Sequence, residues 1–411
     1  MRVWYIRDLE PLPTDPGSPR LLRGGMLATT LASLGHHTTW FTSTFNHYSK
    51  TRRKPGLQRL SHTLTLEVLP SPGYTRNISV ARLLHNRMFA RAFEKYANAV
   101  SELPDIIAVD LPTTDAAAAA ARFGNKRGIP VVVTIRDLWP DFFEEFLPNG
   151  MRNIARLGIA MLDRQARFAC RNATSIVGVS EKYLNWGLAK ADRPLAALDR
   201  VVPLGYTLPR IPSSEDADAI LASLNIPRHK RLISFVGSWG KTYDLSLVFE
   251  AARLLAKRDD IVFVVAGAAK ERPQIAQKLR SLSNTRVIGW IDSGVVAALL
   301  SRSEIGLLPY VQGAPQGVPN KIYEYMAFGP FQIATLGDEA GRLYDETATG
   351  LNVSGDPTSI AACIEDVLSN TEIMQNRAKR MEVFHQRFDA TKVYHAATDH
   401  LVEVVERYKS I

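Results

Sequence analysis

Asp105-Ile-Ile-Ala-Val-Asp110 is followed by Asp115-Ala-Ala-Ala-Ala-Ala-Ala-Arg-Phe123, a turn at Gly124–Gly128, and Val131-Val-Val-Thr-Ile135. The two apolar runs read as strands buried on both faces, and the alanine-rich stretch between them reads as a helix. Strand, helix and strand at this spacing argue for a parallel sheet covered on both sides. The same alternation extends in both directions. Upstream lie strand Val3–Ile6, helix Arg20–Leu34 stopping at Gly35, strand His37–Thr42, strand Leu64–Leu69 after a basic loop, and helix Val80–Ala97. Downstream come helix Asn153–Cys170 and strand Ser175–Val179.

Residues Thr207–Lys230 break the rhythm with prolines, acidic residues and a short helical stretch, Asp216–Leu224. The alternation then restarts. Strands fall at Leu232–Val236, Ile261–Ala266, Arg286–Ile288, Ile305–Pro309 and Phe331–Thr335. Helices fall at Asp244–Ala256, Pro273–Leu282, Gly294–Arg302, Lys321–Phe328 and Thr358–Leu368. The reading is an α/β chain of two doubly wound, Rossmann-like domains, 1–206 and 207–388. A C-terminal helix follows over 389–411, with Phe384, Phe388, Val393 and Tyr394 as apolar anchors. Ligands of such sheets bind at the carboxyl ends of the strands, which favours a nucleotide or nucleotide-sugar enzyme.

Composition narrows the class. The chain has 411 residues, 46% hydrophobic and 22% charged, which excludes disorder and collagen-like repeats. Cys170 and Cys363, its two cysteines, are too far apart in sequence for a zinc cluster or a redox pair. No stretch approaches the roughly 20 apolar residues of a membrane span, and Arg7 comes too early for a signal peptide. A cytoplasmic location is expected. Of the +9 formal charge, residues 1–210 carry 28 Lys/Arg against 17 Asp/Glu, whereas the remainder carries 22 against 24. A basic half suits nucleic acid, anionic lipid or phosphorylated substrates, and charge alone does not choose among them.

The stretch richest in chemistry is Pro319-Asn-Lys-Ile-Tyr-Glu-Tyr-Met-Ala-Phe-Gly-Pro330. Pro319 and Asn320 suit a helix entry, whose unpaired amides and dipole attract a diphosphate. Lys321 in that first turn opposes the dipole unless an anion binds there. Glu324, one turn deeper, is able to accept hydrogen bonds from vicinal hydroxyls such as those of a ribose. The plainer alternative is a surface Lys–Glu pair on an amphipathic helix. Phe235-Val-Gly-Ser-Trp-Gly-Lys-Thr-Tyr-Asp244 supplies a strand-to-helix turn whose amides are able to approach an anion. Thr134-Ile-Arg-Asp-Leu-Trp-Pro-Asp141 ends a buried strand, so Asp137 either orients a hydroxyl or cation or forms a structural cap or Asp–Arg pair.

These motifs resemble glycosyltransferase family 4, the retaining nucleotide-sugar transferases of GT-B fold. Glu324-Tyr-Met-Ala-Phe-Gly-Pro330 is similar to the family's donor helix, with Pro330 one place early. The Pro-Asn-Lys lead-in and Arg136-Asp-Leu-Trp-Pro140 resemble the branch that builds bacterial surface polysaccharide. The resemblance implies that Glu324 holds the donor ribose and that Gln316 replaces a glutamate contacting the donor sugar. It implies that Gly317, Val318 and Asn320 line the donor, with Gly237 and Ser238, the latter where the family has an arginine. It places Lys241 and Lys321 on the diphosphate, and Trp290 and Ile291 by the nucleobase, although Trp290 also reads as core. Gly17, Arg20, Arg23 and Arg136 fall on the acceptor or phosphate side. Asp137 is a further catalytic candidate. The C-terminal helix is implied to return to the first domain.

The activity implied is transfer from a UDP- or GDP-linked sugar to a hydroxyl of a glycan or polyprenyl-linked acceptor, in surface polysaccharide or lipopolysaccharide biosynthesis. No Asp-x-Asp ends a strand, so no metal and no cofactor is expected. Basic and apolar residues interleave from Lys50 to Lys95. With Arg52, Arg53, Lys54, Arg87 and Arg91, this stretch reads either as a surface for the inner face of an anionic membrane or as a solvated helix. The competing readings are a nucleotide-sugar 2-epimerase of related fold, for which no carboxylate–histidine cluster is evident, and a non-catalytic membrane- or nucleic-acid-binding protein. A nucleic-acid partner is not expected.

Overall fold

The structure is a computed structural model that describes residues 1–410 except 18, 142–151 and 315. The chain divides into two compact units, Met1–Leu204 with Ala390–Ile411, and Gly205–Asp389. Each is built on its own sheet.

The first sheet holds β1 (Arg2–Ile6), β2 (His37–Ser43), β3 (Gly56–Arg59), β4 (Leu64–Leu69), β5 (Ile106–Leu111), β6 (Val131–Ile135), β7 (Ser175–Gly178) and β8 (Arg200–Val201). Their spatial order is β3-β4-β2-β1-β5-β6-β7-β8. All pairs are parallel except the edge strand β3 against β4. Helices α1 (Arg23–Ser33), α2 (Val80–Ala99), α3 (Thr114–Arg127), α4 (Arg152–Arg171) and α5 (Glu181–Ala191) cover it, with α15 (Ala390–Lys409) added from the chain's end. Val393, Tyr394, Ala397, Leu401 and Val404 recur at helical spacing along α15 and join the core made by Val3, Tyr5 and Trp40.

Three departures from the sequence reading have physical causes. Gly124 lies inside α3 rather than starting a turn, because a Cβ there would meet Val131 Cγ2 at 2.3 Å. The helix runs on to Arg127 and closes at Gly128, whose φ of 65° is left-handed. Helix α1 begins at Arg23, not Arg20, where its Gly24 N–H meets the Glu10 carboxylate at 2.8 Å. That cap comes from another loop and leaves no local signal. Strand β3 lies within the stretch read as a basic loop. Its four residues, with one aliphatic side chain, are too few to show a period.

The second sheet, order β11-β10-β9-β12-β13-β14, is parallel throughout. It comprises β9 (Arg231–Val236), β10 (Ile261–Ala266), β11 (Thr285–Ile288), β12 (Ser303–Leu308), β13 (Phe331–Ala334) and β14 (Gly350–Asn352). Around it are α6 (Ser214–Ser223), α7 (Leu245–Leu254), α8 (Pro273–Arg280), α9 (Ser293–Arg302), α10 (Asn320–Phe328), α11 (Asp338–Thr347), α12 (Pro357–Ser369), α13 (Thr371–Gln375) and α14 (Arg377–Arg387). Strand order reverses between β9 and β12, creating the crevice at which doubly wound sheets take ligands. The last strand–helix repeat, α11 with β14, escaped the sequence reading because β14 is three residues long.

Candidate active site

Helix α10 carries Lys321 and Glu324, and the packing of its Tyr325 sets where it sits. The Tyr325 hydroxyl accepts the Val236 N–H at 2.8 Å, tying the helix to the carboxyl end of β9. Room for the ring comes from Gly306 in β12, where a Cβ would lie 2.4 Å from Tyr325 Cδ2. At the other end, Gly329 adopts φ 79° and stops the helix. Half-buried Arg377 and buried Arg380 then bond the Phe328 and Gly329 carbonyls at 2.7 and 2.8 Å. Burial pulls the pKa of both arginines down to about 10, so they stay charged near neutrality and oppose the negative end of the helix dipole.

At the N-terminal end, Lys321 and Glu324 form an ion pair, and the Tyr206 hydroxyl donates to the other Glu324 oxygen at 3.3 Å. Gly237, just past β9, faces the lysine: a Cβ on it would lie 3.8 Å from Lys321 Cε. The turn after β10 packs against Gly237 because Gly267 has no side chain. A Cβ there would stand 1.9 Å from the Gly237 carbonyl oxygen. The loops after β9 and β12 are joined by Asp244 N–H to Pro309 O at 2.7 Å, Val311 N–H to Thr242 O at 3.0 Å, and the Tyr243–Tyr310 hydroxyls at 2.9 Å.

The structure therefore brings Lys321, Glu324 and Gly237 together at the β9–β12 crevice. Gln316, half-buried in the loop before α10, has an Oε1 that is buried without a hydrogen-bond partner. Gly317 beside it is buried, Val318 is half-buried, and Asn320 is exposed at the helix entry. Ser238 and Lys241 are exposed in the turn after β9. Trp290 is 79% exposed beyond β11, so its reading as core is wrong, and Ile291 is half-buried. A cavity of ≈ 550 Å³ opens beside these loops, lined by Asp244, Tyr310, Gly313, Thr335 and Gly337 among others. None of the residues assigned to the donor borders it.

In the first unit, the groups at the β1–β5 crevice are spoken for. Arg136 pairs with Glu10 at 2.5 Å and Asp110 at 2.9 Å, and Arg7 pairs with Glu10 at 2.8 Å. Burial works against both signs of charge. Even so, Arg136 and Arg7 hold Glu10 down to about 2, and the carboxylates hold Arg136 above its ordinary value. Arg136 is thus held in an ion-pair cluster with buried carboxylates. Arg23 is held as well. It is buried, and its guanidinium donates to the Val202 and Pro203 carbonyls at 3.2 and 2.8 Å.

Arg20 and Gly17 are exposed, Gly17 with φ 82°; Ser18 of that motif lies outside the described residues. Asp137 is half-buried past β6. Burial raises its pKa, against the pull of the Leu138 amide and of Arg82 and Arg7. Asp141 accepts from Trp186 Nε1 and Lys190 Nζ, each at 2.8 Å. Arg53 clasps both oxygens of Asp15 at 2.7 Å, and Arg52 donates to the Ser71 carbonyl at 2.5 Å. Arg53 is thereby anchored within the unit, whereas Arg52 remains exposed. Lys54, Arg87 and Arg91 are exposed. Among the described residues no three His, Cys, Asp or Glu side chains gather as a metal site, and no helix is long and apolar enough to cross a membrane.

Two parallel doubly wound sheets, each with its polar loops at the strands' carboxyl ends, define the GT-B class. The chain is a glycosyltransferase of that fold: residues 24–194 match the glycosyl transferase 4-like domain, and residues 230–370 match glycosyl transferases group 1. Among curated proteins, WcaI of Escherichia coli strain K12, a glycosyl transferase assigned to colanic acid biosynthesis, is 26% identical over 301 residues. That alignment covers 70% of this chain and 72% of WcaI. Sucrose-phosphate synthase from Thermosynechococcus elongatus superposes with a TM-score of 0.69 at 16% identity, over 99% of both chains. Anabaena HepE, solved in complex with UDP, gives 0.67 at 13% identity, over 98% of this chain and 100% of HepE.

Proposed function

We propose that this protein is a retaining glycosyltransferase that moves a sugar from a UDP- or GDP-linked donor to a hydroxyl of a glycan or polyprenyl-linked acceptor, in the assembly of bacterial surface polysaccharide. The observation that carries the reading is the Lys321–Glu324 pair at the N-terminal turns of α10, beside Gly237 in the crevice between β9 and β12. A nucleotide diphosphate entering there meets helix amides and draws Lys321 onto itself, leaving the Glu324 carboxylate for the ribose hydroxyls. The orphaned Gln316 oxygen then has a donor-sugar hydroxyl to accept from. HepE, with UDP bound, supports a nucleotide donor for this fold, and WcaI supports the polysaccharide context.

In this reading Lys321 and Lys241 stabilise the charge that grows on the leaving diphosphate, a preorganised electrostatic role. The departing phosphate accepts the acceptor's proton on the face it leaves, so configuration is retained and no side-chain base is required. The test is a thermal-shift screen of UDP, GDP and their sugars, with EDTA present. A ligand at 100 times its dissociation constant stabilises by ~2.7 kcal/mol, and the active donor should both shift the melting point and turn over under chelation. Loss of turnover restored by Mg²⁺ or Mn²⁺ would end the metal-free mechanism. No shift with any nucleotide would end the donor assignment.

The membrane-facing surface in this reading is the exposed stripe of α2, with exposed Arg52 and Lys54 upstream of it. Val80, Leu84 and Met88 repeat every four residues, with Arg87 and Arg91 beside them. Vesicles containing anionic lipid should bind and be released as salt rises, each basic residue contributing ~1 kcal/mol. Replacing Arg87 and Arg91 with Gln should weaken that binding about tenfold or more without altering donor affinity. Equal binding to neutral vesicles would remove the electrostatic part of the proposal.

A further inference from the structure

Several partly or fully buried cations of the first unit are paired with carboxylates: Arg7, Arg53, Arg136, Lys190 and Arg193 each have one within 2.9 Å. Lys50 and Arg82 do not. Among the described residues, neither has a carboxylate within ion-pair distance, yet the two converge. Lys50 Nζ sits 4.8 Å over the Tyr74 ring and donates to Asn77 Oδ1 at 3.0 Å. The Arg82 guanidinium lies 5.7 Å from the same ring and 4.3 Å over Trp139, and donates to the Asn77 carbonyl at 2.8 Å. Its Nε is buried with no partner. Asp8, the nearby acid of β1's loop, is consumed by buried His85 at 2.7 Å.

The turn that presents Lys50 is built rather than loose. Asn46 Oδ1 accepts from the Tyr48 and Ser49 amides at 2.9 and 3.1 Å, and Lys50 itself takes φ 58°. His47 is committed to the Tyr74 hydroxyl at 2.6 Å. Burial, and then repulsion from Arg82, pull the pKa of Lys50 down; at Arg82 burial lowers the pKa against the pull of Tyr74, Asp137 and Asp8. Two cations without a direct ion-pair partner among the described residues, an unsatisfied buried donor and an aromatic floor lie at the carboxyl ends of β2 and β4 and the start of α2, with Asp137 and Asp8 the acids that act on Arg82 from a distance. Such groups are costly unless an anion completes them.

We infer that Lys50 and Arg82 form a phosphate site that holds the acceptor substrate of this glycosyltransferase. The site lies directly before the exposed apolar residues Ile78, Val80 and Leu84 of the same segment. A ligand with a phosphate and an adjoining hydrocarbon chain satisfies both features, so the acceptor is a lipid-linked phosphate or diphosphate. The inference rests on the glycosyltransferase reading for the word acceptor, and on the first unit alone for the anion.

The test uses the full chain saturated with UDP, which occupies the proposed donor site, and titrates inorganic pyrophosphate by calorimetry. One further binding event is expected, at least tenfold weaker in Lys50→Gln and undetectable in Lys50→Gln/Arg82→Gln, with UDP affinity unchanged. Lys50 is exposed, so its single variant keeps the fold, and Arg82→Lys, which retains the charge, should restore most of the affinity. Pyrophosphate binding that is absent, or equal in wild type and Lys50→Gln, overturns the site. If UDP does not bind, GDP replaces it; failure of both to bind overturns the donor reading instead, and the pyrophosphate comparison is then read without a nucleotide. A second arm compares vesicles carrying polyprenyl phosphate with vesicles of equal charge carrying phosphatidylglycerol. A preference for the former that Lys50→Gln abolishes supports the lipid source; the absence of any preference overturns it in favour of a soluble phosphate.

Discussion

Arg136→Met should cost about 3 kcal/mol of stability at neutral pH, because it leaves the buried carboxylates of Glu10 and Asp110 to share Arg7 alone. The direction with pH follows from Glu10. Its pKa of about 2 in the fold lies below the ordinary value of 4.5. The stability it contributes is therefore fully present above about pH 4.5 and is lost as the pH falls toward 2. In the variant the favourable charge on Arg136 is gone and burial favours neutral Glu10. The difference between wild type and variant should be largest near pH 7 and narrow steadily below pH 4.5. Denaturant unfolding at several pH values measures it. A loss below about 1 kcal/mol at pH 7, or one independent of pH, would mean that water reaches the crevice and the ion pairs are solvated.

Glu324→Ala should weaken donor binding by about 1.5–3 kcal/mol, roughly 10- to 150-fold, the range for charge-assisted hydrogen bonds. The loss is partly offset, since Lys321 no longer has to leave the glutamate to reach the diphosphate. Lys321→Ala should show the complementary pattern, with turnover falling more than donor affinity, because phosphate charge is greatest as the sugar departs. Donor affinity by calorimetry and initial rates for both variants separate the roles. Wild-type affinity and turnover in Glu324→Ala would remove the ribose assignment.

The crossover unit from Asp105 to Ile135 was legible because its strands are continuous apolar runs and its helix is nearly pure alanine. Both signals are local. Helix α10 was legible for the same reason, since Pro319, Asn320 and Gly329 mark its ends in the sequence. What the sequence did not show depends on partners distant along the chain. Gly24 as the start of α1 depends on Glu10, and Gly267 on the Gly237 carbonyl. The arginine caps of α10 depend on Arg377 and Arg380, some fifty residues away. Arg23 and Arg136 were read as ligands because a basic residue near a loop looks the same whether its partner is a phosphate, a carbonyl or a buried carboxylate. Arg53 in the basic run shows the same thing, since its clasp on Asp15 is not visible in sequence: charge is, but its compensation is not. Conversely, Lys50 and Arg82 stand out only against neighbours such as Arg53 and Arg7, each of which meets an acid.

The central claim is that the N-terminal turns of α10 receive the donor. A crystal structure of the protein with UDP bound tests it most directly. The account predicts the ribose hydroxyls within hydrogen-bond distance of the Glu324 carboxylate, the diphosphate against the Gly237 turn and the first amides of α10, and Lys321 moved from Glu324 to the phosphates. UDP bound elsewhere, with the Lys321–Glu324 pair intact, would contradict it.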